Sequence, residues 1–154
     1  MDSTGEMQDK LAASIFEVLE KMYFIFLEPA GGTIRRDGLC AEIGFCGPLS
    51  GRLEMCFSRG LSKAMVQNML NAEAADVNEP MLEDGIKEAV NMVCGNFLRK
   101  YNPSQVFDLQ IPVFRSRNGV AGHGEPAPGE RMSAALGFAA DGETLGVVLY
   151  LQIS

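Results

Sequence analysis

The sequence is poor in metal ligands. Its 154 residues include one histidine, His123, and four cysteines with no Cys-x-x-Cys spacing. Zinc ligands usually come in pairs two to four residues apart, so no metal site is expected. Cationic side chains are also scarce: 13 Lys and Arg against 20 Asp and Glu leave a formal charge of −7. Binding to nucleic acid, which needs clustered Lys and Arg, is therefore not expected. No apolar run reaches the 18 or so residues of a membrane-spanning helix, so no membrane role is expected. The stretch Met1-Asp-Ser-Thr-Gly-Glu6 lacks the basic start of a secretory signal, which makes the cytoplasm the expected compartment. In that reducing setting a disulfide between neighbouring hairpin cysteines is disfavoured, and Cys40, Cys46, Cys56 and Cys94 are read as free thiols.

What is present suits one globular domain spanning 1–154. With 47% hydrophobic and 21% charged residues, a chain of this length builds a core without disulfides or a metal. Residues 7–28 place Leu11, Ile15, Val18, Leu19, Met22 and Phe26 at helical spacing, ending near Pro29. Residues 39–46 alternate, with Leu39, Ala41, Ile43 and Phe45 on one face and Cys40, Glu42, Gly44 and Cys46 on the other. A turn at Gly47–Gly51 and a return strand with Leu53, Met55 and Phe57 make 39–58 a hairpin. A second helix is expected over 60–72, with Leu61, Met65 and Met69 inward. A third opens at Asn78-Glu79-Pro80, with proline near its first position, and runs to about Tyr101-Asn102-Pro103. Residues 106–114 look strand-like around Pro112, which suits an edge, a bulge or a strand end. The Gly- and Pro-rich stretch 116–130 reads as a mobile loop, with His123 inert in it. A closing hairpin, 131–139 and 144–153, turns at Asp141-Gly142, with Val147, Leu149, Leu151 and Ile153 facing one way. The fold class is α+β: an antiparallel sheet of about five to six strands, with two long helices and one shorter helix on one face.

The third helix carries the most informative feature. On a helical wheel Asp84, Glu88, Asn91 and Gly95 fall within about 60° of one another, opposite Ile86, Val90, Val93 and Phe97. A polar face is ordinary, but these residue types are not. Relative to alanine, asparagine costs roughly 0.6 kcal/mol and glycine about 1 kcal/mol in a helix interior. The residues alone leave two readings open. Glu88, Asn91 and Asn96 can be solvated surface positions, Asp84 a helix-dipole residue and Gly95 a helix-packing position. Alternatively the stripe is a surface that another molecule approaches.

The pattern Asp84-x-x-x-Glu88-x-x-Asn91-x-x-x-Gly95-Asn96 resembles the signature of the CheC/CheX/FliY chemotaxis phosphatases. The resemblance extends to the opening helix around Val18–Phe24, the hairpin segment Gly51–Phe57 and the segment Leu109-Gln-Ile-Pro112. It implies a CheX-like phosphatase acting on the aspartyl phosphate of a CheY-like response regulator. Glu88 and Asn91 would be the catalytic pair, with Asn91 orienting the attacking water and Glu88 docking on the regulator's active-site lysine. Asp84, Gly95 and Asn96 would contact the partner. It also implies no cofactor of the chain's own, since Mg²⁺ sits in the regulator. No asparagine precedes Asn68, and Glu17 is followed at the matching spacing by Glu20, so one such site is expected. Single-site relatives of this kind pair as homodimers. Two other functions stay open: a non-catalytic adaptor that binds a regulator, and a dimeric scaffold that recognises a ligand through loop 116–130.

Overall fold

The computed structural model describes residues 3–32, 34–117 and 125–153. Its helices are α1 (Ser3–Tyr23), α2 (Arg59–Leu70) and α3 (Glu79–Tyr101), two long and one short. Its strands are β1 (Glu28–Pro29), β2 (Gly38–Cys46), β3 (Gly51–Phe57), β4 (Asp108–Leu109), β5 (Val113–Arg117), β6 (Glu130–Ala140) and β7 (Glu143–Gln152). They form one antiparallel sheet in the order β1-β6-β7-β3-β2-β4, with β5 also paired to β2. The sheet has seven strands, but β1 and β4 are only two residues long. The α+β architecture is as expected.

The alternation in the hairpins decides which sheet face meets the helices. Leu39, Ala41, Ile43, Phe45, Leu53, Met55, Phe57, Val147, Leu149 and Leu151 are all buried in one cluster with the apolar sides of α1, α2 and α3. The opposite face is polar yet also covered. The segment ahead of β2 crosses it, and a Cβ on Gly146 would run into the Arg35 carbonyl. There Arg36 donates to Glu54 (2.8 Å) and to the Tyr150 hydroxyl (2.6 Å). Arg52 pairs with Glu42 (2.7 Å) and Glu130 (3.0 Å), with its guanidinium 3.9 Å from the Tyr150 ring centroid. Arg52 holds the Glu130 carboxyl below the usual carboxylate range. Buried charges persist only when paired this closely.

Four expectations need correction. First, α1 stops at Tyr23 rather than near residue 28. Phe24 adopts a left-handed conformation (φ 55°), and its N–H closes on the Glu20 carbonyl, which ends the helix. Met22 and Phe26 consequently leave the core and are exposed. Second, α2 stops at Leu70 because Asn71 is left-handed (φ 52°). Met69 is therefore exposed rather than inward. Third, Ile153 lies beyond β7 and is exposed. Fourth, Cys40 and Cys56 form a disulfide. The β2–β3 register sets them directly opposite each other, with Cα atoms 4.1 Å apart. Cys46 and Cys94 are the free thiols. The closing turn is as expected: Asp141 and Gly142 both have positive φ (49° and 81°), as a two-residue type I′ hairpin requires. His123 lies outside the described residues, as does the whole 118–124 part of the 116–130 loop.

Candidate functional site

Helix α3 starts cleanly because the Asn78 side chain accepts a hydrogen bond from the Met81 N–H (3.0 Å), with Pro80 in the first turn. Leu82, Ile86, Val90, Val93 and Phe97 are buried against the sheet and the other helices. This anchoring fixes the opposite side as a ridge facing outward. On that ridge Asp84 and Glu88 are exposed, and Asn91 and Gly95 are half-buried. The predicted stripe is thus a real surface feature.

The charges of α3 next to Asp84 and Glu88 are occupied. Arg59 pairs with Glu79, and Lys87 pairs with Glu83 at 3.2 Å. Near the far end of the helix, Lys100 and Lys21 both hold Glu17 (3.0 and 3.3 Å), and these contacts pull the Glu17 carboxyl below its usual range. Asp84 and Glu88 have no ion-pair partner among the described residues, and the Asn91 carboxamide makes no hydrogen bond there. Beneath the ridge, the Tyr23 hydroxyl donates to the Gly85 carbonyl (3.5 Å). Burial pushes that hydroxyl upward in pKa, with the Glu88 charge adding to the shift.

Asn96 is placed differently. Its Oδ1 accepts a hydrogen bond from Ser14 of α1 (3.0 Å), so its side chain ties two helices together. It also borders the cleft that contains Asn91 and Gly95. Among the described residues, no cluster of three His, Cys, Asp or Glu side chains is arranged to hold a metal ion. No described helix is long and apolar enough to cross a membrane.

Shallow clefts border the ridge, three of them walled by exposed apolar side chains. One, of about 400 Å³, lies towards α1 and includes Met22, Asn91, Met92, Gly95 and Leu109. A second, of about 470 Å³, runs past Asp84, Glu88 and Asn91 to Gln110–Pro112. The third, of about 300 Å³, lies between α2 and α3 and includes Met69, Leu70, Asp84 and Glu88. Exposed apolar side chains wall all three: Met22 and Leu109, Ile111 at 87% exposure, and Met69 and Leu70. Ile111 falls where the stretch read as strand-like over 106–114 is broken: residues 110–112, with Pro112, lie between β4 and β5. The sequence misplaced Met22 and Met69, since helical spacing assigns both to the core. Exposed apolar side chains gathered beside polar ones on one face mark it as a candidate surface for docking another protein.

The family profile described as chemotaxis phosphatase CheX matches residues 39–125, which contain the whole Asp84–Asn96 stripe. No curated protein sequence matches the chain. Among solved structures, chemotaxis protein CheX from Vibrio vulnificus is 24% identical with a TM-score of 0.81, covering 99% of this chain and 100% of that one. A CheC-like superfamily protein from Shewanella sp. PV-4 is 20% identical with a TM-score of 0.74, covering 99% of each chain. The protein in a CheX–CheY–BeF₃–Mg²⁺ complex from Borrelia burgdorferi is 18% identical with a TM-score of 0.71, covering 94% of this chain and 96% of that one. At these identities the likeness establishes a shared fold.

Proposed function

This chain belongs to the chemotaxis phosphatase CheX family, and on that premise we propose that it hydrolyses the aspartyl phosphate of a CheY-like response regulator in the cytoplasm. The observation that carries the reading is the ridge of α3. Glu88 and Asn91 stand one turn apart, and among the described residues neither side chain has an ion pair or a hydrogen bond. An acyl phosphate is already activated, so a phosphatase for it supplies chiefly position. The Asn91 carboxamide accepts a hydrogen bond from a water and aligns it with the phosphorus. That water forms the new P–O bond as the bond to the aspartyl oxygen breaks. Inorganic phosphate leaves and the regulator's carboxylate is restored. Glu88 pairs with the regulator's active-site lysine and fixes the register of docking. Asp84 adds attraction, Gly95 leaves clearance, and Asn96 borders the contact from its place against α1. Mg²⁺ belongs to the regulator, where it neutralises phosphoryl charge, and no cofactor of this chain is required. The CheX–CheY complex among the neighbours of this fold supports a CheY-like partner. The active species is a homodimer, paired through a sheet edge.

The test is phosphate release from a CheY-type regulator charged with a small acyl-phosphate donor. The unsubstituted chain should accelerate release. Asn91→Ala should bind the regulator as before and lose about 100-fold or more of the acceleration. Binding with no acceleration by the unsubstituted chain would make it an adaptor.

A further inference from the structure

One feature of the ridge exceeds what water alignment and lysine docking need: the α2–α3 groove beside Glu88. Its volume is about 300 Å³, and its walls are Val66, Met69, Leu70 and Met81 over Gly85. The groove is built in. A Cβ on Gly85 would stand 2.8 Å from Val66 Cγ2, so the helices approach closely and form a floor. Above that floor α2 ends at Asn71, leaving Met69 and Leu70 43% and 54% exposed. Exposing two large apolar side chains costs solvation that helix formation does not require. Methionine walls also adapt to the shape of an incoming apolar group.

We propose that this groove seats an apolar side chain of the response regulator, and that a lysine or arginine beside it pairs with Asp84. The inference rests on the phosphatase reading for the identity of the partner. Charge selects the occupant. Glu79 and Glu83 on the same helix are paired, whereas Asp84 and Glu88 on the groove rim have no ion-pair partner among the described residues. A second copy presenting this same face would set acid against acid. An anionic lipid surface would be repelled for the same reason. A basic-and-apolar protein surface satisfies both halves of the groove and is continuous with the contact at Glu88 and Asn91. Placed there, the contact acts on affinity rather than on water alignment.

The experiment measures binding of CheY-type regulators of the source organism, loaded with beryllofluoride and Mg²⁺, alongside steady-state dephosphorylation. Met69→Gln/Leu70→Ser should weaken binding about tenfold or more. The loss should fall on KM, in contrast to Asn91→Ala, whose loss falls on kcat. Asp84→Lys should weaken binding more at low salt than at high salt. Both sets of changes are at exposed positions, and retained helical circular dichroism checks folding. Binding unchanged within twofold in the groove variants would overturn the proposal while leaving the phosphatase reading intact. Binding without hydrolysis by the unsubstituted chain, lost in the groove variants, would keep the groove and overturn the phosphatase reading. Absence of binding to any regulator would overturn both.

Discussion

Two glycines on α3 show how one residue type serves opposite ends. A Cβ added at Gly95 would meet Arg99 and Leu109 no closer than 3.8 Å, which is ordinary contact. Among the described residues nothing therefore requires glycine there, and its helix cost of about 1 kcal/mol is unreturned by packing. At Gly85 the same added carbon would crowd Val66 at 2.8 Å, and Val66 is buried. Gly95→Ala should raise stability by about 0.5–1 kcal/mol, partly by restricting the unfolded chain, and should raise KM for the regulator. Gly85→Ala should lower stability by about 1 kcal/mol, because overpacking outweighs the gain in helix propensity. Urea midpoints separate the two. If both variants shift in the same direction, the distinction between clearance and packing fails. The stripe was legible in the sequence because Asn91 and Gly95 are poor helix residues with no compensating pattern nearby. The role of Asn96 was less legible: nothing in its own helix reveals that Ser14, on another helix, reaches its side chain.

At the level of elements, periodicity located the helices and hairpins, and local terminators defeated it. The apolar spacing of α1 continues through Phe26, but a left-handed Phe24 ends the helix first. The same happens at Asn71, which puts Met69 on the surface beside the site. At Phe24 the sequence offered little warning, whereas asparagine at 71 is, after glycine, the residue type that takes such a stop. The β2–β3 hairpin and its alternating faces were legible, yet compartment chemistry argued against joining its cysteines, and only the structure's register sets Cys40 opposite Cys56. The structure answers with burial: both cysteines are nearly inaccessible, at 1% and 2% exposure. Reductants act through attack at sulfur, and burial withholds that access. Thiol titration tests this arrangement in three steps. The folded protein should expose one reactive thiol, Cys46, because Cys94 is buried and its pKa is pushed up to about 12. Unfolding without reductant should reveal Cys94 as a second, and reduction should release the other pair. Replacing Cys40 and Cys56 together by alanine should cost roughly 3 kcal/mol, the value for closing a loop of about this length. Four titrating thiols in unreduced, unfolded protein would show that the bond does not form.

At the scale of the whole molecule the two sheet edges are treated differently. On one side β2 is covered by β4 and β5. On the other, β1 pairs with β6 only at Phe138 and Ala139, and Ala30 adds a hydrogen bond at Gly137. Among the described residues no strand pairs with the outer side of β6 over 130–136. Beyond Glu130 and the exposed Arg131, the stretch Met132-Ser-Ala-Ala-Leu136 carries no charge and no proline, and Met132 and Ala135 are exposed. The two charges at its start and a register irregularity between Met132 and Ala134 are its edge-protecting devices. An edge so lightly guarded suits isologous pairing with a second copy, which closes the contact by symmetry. The geometry also keeps the two sites apart from the seam, since α3 packs over β2 and β3 while β6 lies beyond β7. On the proposed reading, each protomer of such a dimer would present its own Glu88 and Asn91 to a separate regulator. The solution mass should accordingly be about twice 16.7 kDa. Ala135→Lys, which places a charge on the exposed edge, should return it to one chain mass with the fold intact by circular dichroism. Dephosphorylation per chain should survive that change, because no residue of the site comes from the seam. A single-chain mass for the unsubstituted protein at micromolar concentration would refute pairing through β6. A dimer that loses its activity on becoming a monomer would refute the independence of the two sites.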